Sequence, residues 1–442
     1  MSPDVDPVES HPAMPAEADV VVIGGGIAGV STAFFLRRKG LRVVLCEKGR
    51  IAGEQSSRNW GWCRAMGRDH REIPLIQESL RLWRRMDELT GGDTGFRACG
   101  ILYLCETKAE MDRYEPWLEH SRLHQIGSRL IGADEVRALL PGLKRPVAGA
   151  LYTASDGRAE PARAAPAIAA AFASAGGTVL TDCAVRGVET EGGRVSGVVT
   201  ERGPIRARAA VLAGGAWSRL FCGNHGLDLP QLKVLGSVLR TAPIADGPDT
   251  SAAGSDFAFR RRADGGYNVA HGGLSTVDLV PDSFRLFRPF LPALRAERKG
   301  LKLRLSGRFL DEWRTPKRWA LDAVSPFERA RVLDPEPDGK LLDYAFAAFR
   351  ASDAAFAGAR EVRRWGGLID VTPDAVPVIS GVPSLSGFFV ATGFSGHGFG
   401  IGPGAGRLMA DIVAGDDPVV DPAPFRFERF SEGRPAVIDG GF

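Results

Sequence analysis

"VVVIGGGIAGVSTAFFLRRKGLRVVLCEKG", residues Val20 to Gly49, reads as an alternation of strand and helix. An apolar run from Val20 to Ile23 has the β-branched content of a buried strand. A glycine turn follows, then a helical pattern up to Gly40, then a second apolar run closing on Glu47. This is a β–α–β unit. Glycines stand at Gly24, Gly26 and Gly29, spaced G-x-G-x-x-G between the strand and the helix. The bare spacing is common, and the strand before it and the helix after it are what give it meaning. Gly24 permits the tight turn, Gly26 lets a pyrophosphate approach the amides of the first helical turn at Ile27 and Ala28, and Gly29 lets the helix close on the strand. Glu47 ends the second strand, where a carboxylate accepts both ribose hydroxyls and repels a 2'-phosphate. The unit therefore predicts FAD or NAD rather than NADP.

The rest of the composition narrows the setting. A chain of 442 residues with 44% hydrophobic and 25% charged side chains predicts two globular domains. With 56 basic against 53 acidic residues the net charge is +3, and nothing points to nucleic acid. The six cysteines (46, 63, 99, 105, 183 and 222) lack metal-ligand spacing and read as reduced thiols, predicting a cytoplasmic protein without a metal site. Residues 1–18 have no basic start and no apolar stretch. They read as a disordered tail rather than a signal peptide, and no later segment is apolar enough to span a bilayer.

Two further stretches favour FAD over NAD. Residues 176–218 alternate short apolar runs with glycine turns, as a strand and a three-stranded meander would, and return as a strand at Ala210 to Ala213. Gly214 and Gly215 follow at once and offer a second backbone approach to a long cofactor, which an NAD domain does not need. Near the C-terminus a strand from Phe388 to Thr392 runs into a glycine loop, and a helix is expected to start near Pro403. Its partially positive N-terminus would stabilise a reduced flavin, which is anionic at its pyrimidine end.

"GGGIAG" (24–29), "VLAGGAWS" (211–218) and "TPDAVPVISG…GFSGHGFGIGPGAG" (372–406), in that order, resemble the D-amino acid oxidase superfamily of FAD enzymes over nearly the whole chain. Within it, "IAGEQSSR", "CAVRGVET", "RRADGGYNVA" and the closing "DPAPFRFERF" resemble bacterial L-amino acid deaminases, as does the stretch from Asp282 to Val332. The resemblance implies an α/β fold: a Rossmann-type, glutathione-reductase-like FAD domain from 19–95, 150–228 and 357–442. An α+β substrate domain built on an antiparallel sheet would come from 96–149 and 229–356, with a helical insertion at about 281–335. It implies FAD-dependent oxidation of an amine, with deamination of an amino acid to keto acid and ammonia as the first reading. Oxidation or dehydrogenation of a secondary, sarcosine-like amine is the alternative, and a flavin-binding electron-transfer subunit without its own turnover is the rival of another class. Electrons would pass to oxygen or to a quinone or carrier. With all six cysteines before residue 223, a C-terminal thioether to flavin is excluded, so the FAD is expected to be non-covalent.

The same resemblance distributes the site residues. Lys48, Gln55, Ser56 and Ser57 follow the second strand along the phosphates and ribityl chain, and Val185 and Trp217 join Gly214 and Gly215. Gly396, His397, Gly398, Phe399 and Gly400 bring backbone to the flavin. Trp60, Trp62 and Arg64 would lie near the ring. Arg64 is the expected substrate clamp, because a guanidinium fork grips a carboxylate through two parallel bonds and sarcosine oxidases resemble this chain in placing such an arginine here. Arg68 is a weaker candidate. His271 is expected to orient the substrate, and His397 to turn its imidazole towards the ring or the substrate with a catalytic part. Where L-amino acid deaminases carry an arginine after the strand matching "YNVA", this chain has His271, Gly272 and Gly273, and Tyr267 and Asn268 stand near where some sarcosine oxidases have a lysine. Residues Phe284 to Leu305 interleave basic and apolar side chains. They read as a solvated face, favoured by their two prolines, or as a weak peripheral membrane contact.

Overall fold

A computed structural model describes residues 2–433 and 436–438. The opening unit forms as read: β1 (Glu17–Ile23), α1 (Ile27–Arg38) and β2 (Val43–Cys46). β1 and β2 are parallel, with Val20 opposite Val43 and Ile23 opposite Cys46. Both strands are buried on two faces, which is why their runs are continuously apolar rather than alternating. α1 is buried without a break from Ile27 to Leu36 and shows charge only at Arg37 and Arg38, where cations suit the C-terminal end of the helix dipole.

The expected disordered tail is a correction. Residues 2–16 lie along the fold: the Asp6 amide donates to Ala162 O at 3.0 Å, the His11 amide to Val179 O at 2.7 Å, and Ser10 Oγ accepts from the Thr181 amide at 3.1 Å. Val5, Val8 and Met14 pack on the core. The tail's apolar residues are too sparse to show a period, yet each finds a groove, and its backbone bonds are made to elements far along the chain.

After a short helical turn at Gln55–Arg58 the chain enters α2 (Ile73–Trp83), amphipathic and buried at Ile73, Leu75, Ile76, Leu80 and Trp83. The first sheet is then completed by Thr178–Leu180 beside β2 and by β3 (Gly203–Leu212) beside β1, both parallel. The start of β3 pairs antiparallel with Arg194–Thr200, which pairs with Val185–Glu191, giving the expected meander.

The second sheet is mixed, mostly antiparallel and ten-stranded. Its spine is β4 (Leu232–Thr241), joined on one side by β5 (Tyr267–Ala270). α3 (Gly339–Ser352) covers one face, where Leu239, Tyr267, Val269, Leu342 and Phe349 meet. The other face of the same strands carries Val238, Ala270 and Trp365, against Trp60. β6 (Glu361–Val371) pairs antiparallel with β4 from end to end, and Gly149–Thr153 also belongs to this sheet. β6 and residues 150–153 were expected on the flavin side; strand pairing, which sequence does not display, puts them in this sheet. The insertion is also not purely helical, because Leu301–Arg304 adds a strand parallel to Ser275–Asp278.

The chain returns through β7 (Phe388–Thr392), parallel to β3, and into α4 (Gly398–Ala414). This helix begins at Gly398 and not near Pro403, which lies inside it. The reason is lateral. Ser79 Oγ of α2 donates to Gly400 O at 2.7 Å, Trp83 Nε1 donates to the same oxygen at 2.8 Å, and the Gly404 amide donates to Ser79 Oγ at 3.1 Å. A serine thus bridges the place where the proline opens the helix ladder. Glycines on the opposite side let α4 touch α1: a Cβ at Gly406 would stand 2.4 Å from Ser31 Cβ, and one at Gly402 2.7 Å from Ile27 Cγ1. Ser79→Ala should lower stability by about 1–3 kcal/mol, because the buried Gly404 amide then has no acceptor. Urea unfolding of the two proteins measures it.

Candidate active site

The first half of the site is a cleft at the start of α1. Gly24 holds φ +110°, and a Cβ there would lie 2.4 Å from Ala213 O. Gly26 caps the helix without a side-chain bond, and the first turn contains no acidic side chain, so the partial positive charge of the helix start faces the cleft without a counter-charge. Ser56 Oγ takes the Ile27 amide at 2.8 Å, tying the short Gln55–Arg58 turn to the helix start. Glu47 is fixed from two sides, accepting from the Gly25 amide at 2.7 Å and the Gly49 amide at 2.8 Å, and burial pushes its carboxyl above the ordinary range. Gly214, Gly215 and Val185 line the opposite wall. Lys48 lines the cleft beside Trp217, with its ammonium already engaged. Its ammonium pairs with Glu54 at 2.6 Å, donates to the carbonyls of Ala330 and Arg331, and sits 4.7 Å from the Trp217 ring. Ser57 is turned inward, its hydroxyl bonded to Glu54 O at 3.2 Å. A helix N-terminus, two glycine approaches and a pinned carboxylate along one cleft fit an adenine dinucleotide. A Glu47→Ala variant should bind FAD at least about tenfold more weakly, as loss of one charged hydrogen-bonding partner costs roughly 1.5–3 kcal/mol. Equilibrium dialysis reads this directly.

The second half gathers at the start of α4. Asp370, at the end of β6, accepts from the Gly393 amide at 2.6 Å and from Thr392 Oγ1 at 3.0 Å, which fixes the glycine loop that leads to His397. The loop after residue 60 lies against this turn: a Cβ at Gly400 would stand 3.1 Å from Trp62 O. Asp156 anchors that loop through the amides of Ala65 (2.8 Å) and Met66 (3.1 Å), and burial pushes its carboxyl up to about 6. Arg64 is 7% exposed and Arg68 3%. Arg64 donates to Met66 O and lies 5.5 Å from the Tyr103 ring, and Arg68 Nε donates to Arg64 O at 3.2 Å. Among the described residues neither arginine has a carboxylate within ion-pair distance, and Arg68 Nη1 and Trp62 Nε1 are buried without a hydrogen-bond partner. Burial, reinforced by Arg64, pulls Arg68 down to about 9. Glu72, fully buried at the start of α2, lies 3.0 Å from Nδ1 of His397.

Of the expected residues, Arg64, Trp62, His397 and the Gly396–Gly400 turn come together. His271 does not join them. It continues the alternation of Tyr267 and Val269 onto the α3 face, stacks on Tyr344 and accepts the amides of Gly273 (3.1 Å) and Leu274 (3.0 Å) through Nδ1. Glu72, Asp156 and Asp370 escaped the sequence reading. An acid just before a Pro-led helix reads as a surface cap, and only Arg68, four positions before Glu72, offered a clue that both face inward.

Among the described residues no group of side chains has the makings of a metal site, and no helix is long and apolar enough to cross a membrane. The sequence pattern of the DAO family, FAD dependent oxidoreductase, matches residues 19–412. The beta subunit of sarcosine oxidase from an Arthrobacter species is 26% identical over 94% of this chain and 91% of its own length. Glycine oxidase from Pseudomonas aeruginosa is 27% identical over 92% of this chain and 97% of its own. Among solved structures, L-amino acid deaminase from Proteus myxofaciens, in complex with anthranilate, superposes with a TM-score of 0.93 at 35% identity, covering 97% of this chain and 98% of that one. A glycine-lined dinucleotide cleft, a glycine turn at a second helix start and a family match across nearly all of the chain agree, and the protein belongs to the DAO family of FAD-dependent oxidoreductases.

Proposed function

We propose that the protein oxidises an amino acid at the carbon bearing its amine, giving an imino acid that water converts to keto acid and ammonia. The observation that carries the reading is the pair of buried guanidiniums, Arg64 and Arg68, with no carboxylate partner among the described residues and with Arg68 Nη1 unsatisfied. The buried carboxyls of Glu72 and Asp156 lie nearby but outside ion-pair distance, and burial pushes both up, so they offset the two cations only in part; a bound anion completes the balance, and a substrate carboxylate is that anion. Bound FAD would supply the two-electron oxidation. The chain's part is to hold and orient: Gly24, Gly26, Gly29, Glu47 and Ser56 for the dinucleotide, Gly396–Gly400 for the ring end, Arg64 and Arg68 for the carboxylate, Trp62 for the wall. The dinucleotide residues lie in or beside the first sheet, and the second sheet backs the loop that carries Trp62, Arg64 and Arg68 through Arg260 and the Trp60 contact, which supports the two-domain division. The likeness to an L-amino acid deaminase supports a primary amine, and that to sarcosine oxidase keeps an N-alkyl amino acid as the second reading.

For the acceptor we favour a quinone or electron carrier met at a membrane surface. Phe284, Leu305 and Trp313 of the insertion are 65%, 76% and 67% exposed and lie among arginines and lysines, a combination that suits an anionic lipid face. Six free thiols support a cytoplasmic setting. Titrating the flavin spectrum with anthranilate tests the clamp. Arg64→Ala and Arg68→Ala should each weaken the apparent affinity about 10- to 100-fold, and an unchanged affinity in both would reject it.

A further inference from the structure

Glu72 is fully buried, its Oε1 has no hydrogen-bond partner among the described residues, and its Oε2 lies 3.0 Å from His397 Nδ1. A carboxyl against one imidazole nitrogen decides which nitrogen carries the proton. With Glu72 ionised, Nδ1–H donates to Oε2 and Nε2 keeps a lone pair. With Glu72 protonated, its O–H donates to Nδ1 and Nε2 carries the hydrogen.

We propose that Glu72 and His397 form a two-step acceptor for the substrate's ammonium proton: Nε2 takes the proton as the substrate N–H bond breaks, and Nδ1 passes its own to Glu72 Oε2. One proton enters and none leaves, so the pair goes from net charge −1 to zero and no imidazolium persists. The inference rests on the amine-oxidation reading, because the amine must be neutral before its carbon can give up a hydride equivalent.

The surrounding charges favour a pair over a histidine alone. Burial, with Arg68 and Arg64 beside it, holds His397 well below the ordinary histidine range, so a lasting imidazolium is disfavoured. Glu72 is faced by Arg68 and Arg64 from the loop, Arg71 from the turn before α2 and Asp374 from the segment after β6, and His397 by Arg68, Arg64 and Asp69. Burial raises its carboxyl, the three arginines oppose that and Asp374 adds to it, leaving it pushed up to about 7. An acid raised on folding is held protonated by the fold. Its contribution to stability is therefore full below its ordinary value of 4.5 and fades as pH rises to about 7, the range in which the pair becomes competent to accept a proton.

The test has two arms on the FAD-loaded protein. In anaerobic mixing with an amino acid that reduces the wild-type flavin, the limiting reduction rate should rise with pH through one step near 7. Glu72→Gln, which can still donate to or accept from Nδ1 but cannot take up a proton, should lose that step and fall at least about tenfold above it, with anthranilate affinity retained. Persistence of the step in Glu72→Gln overturns the proposal. The second arm needs no turnover: long-range nitrogen-15 spectra of the seven histidines, with His397 assigned by His397→Asn, should show Nε2–H below pH 7 and Nδ1–H above it in wild type, with no exchange of form in Glu72→Gln. A single wild-type form from pH 5.5 to 8.5 overturns the proposal. If no amine reduces the wild-type flavin, the amine-oxidation reading fails, while the spectra still decide whether Glu72 controls the His397 proton.

Discussion

An alanine at position 29 should give a protein that purifies almost colourless. The added Cβ would stand 1.9 Å from Gly24 O and 3.3 Å from Ala213 Cβ, both part of the turn that the helix start rests on. Neither can yield locally. Gly24 already holds φ +110° and its amide bonds Cys46 O at 2.8 Å, so relief must come from moving α1 outward, with overpacking costing about 1–3 kcal/mol. That movement withdraws the start of α1 from the cleft and strains the Ile27–Ser56 bond that ties the Gln55–Arg58 turn to it. Retained flavin, read from absorbance near 450 nm per mole of protein, should drop below about a tenth of wild type, a loss of at least ~1.4 kcal/mol of binding. Gly223→Ala is the control: a Cβ there meets nothing within 4 Å, and its flavin content should be unchanged. Full flavin retention in Gly29→Ala would mean that the cleft does not hold the cofactor.

The second large effect lies behind the substrate loop. Arg260 is completely buried, forks onto Glu160 at 2.6 and 3.1 Å, and donates through Nε to Trp60 O at 2.6 Å, which steadies the chain just before Trp62 and Arg64. Arg260→Ala leaves the Glu160 carboxylate buried with the Ala263 amide, at 2.8 Å, still bonded to it. Breaking a buried pair in this way costs about 3–5 kcal/mol. Arg260→Met combined with Glu160→Gln should recover part of the loss, because no charge is then stranded. Burial pushes Glu160 up, but Arg260 outweighs it and holds the carboxyl below its ordinary 4.5. The pair's contribution is therefore present above about pH 4.5 and is lost as pH falls through the lower folded value. Guanidinium unfolding at pH 7 and pH 4 should show the gap between wild type and the double variant narrowing in acid.

How much of this was legible in the chain depends on the range of the interactions involved. The β1–α1–β2 unit could be read because its strands, turn and helix are each set by neighbours within a few residues. The strand Phe388–Thr392 was found to the residue, since an apolar run between glycine turns has little freedom. Contacts across long separations were not legible. Pro403 marks a helix start by local rule, yet Ser79 and Trp83, more than 300 positions earlier, stabilise five helical residues before it. Arg64 could be chosen from its loop and its resemblance. The partnership of Glu72 with His397 could not, because the two lie 325 positions apart and a buried acid has no local signature. His271 misled for the opposite reason: its position along the strand was right, but strand alternation turned it to the α3 face.

The measurement that bears most directly on the function is anaerobic mixing of the yellow protein with a panel of amino acids, N-methyl amino acids and polyamines. The account predicts that the flavin bleaches with at least one carboxylate-bearing amine, with primary amino acids fastest, and that Arg64→Ala bleaches only at concentrations raised about 10- to 100-fold. A flavin that stays oxidised with every carboxylate-bearing amine, or bleaches with polyamines alone, would contradict it.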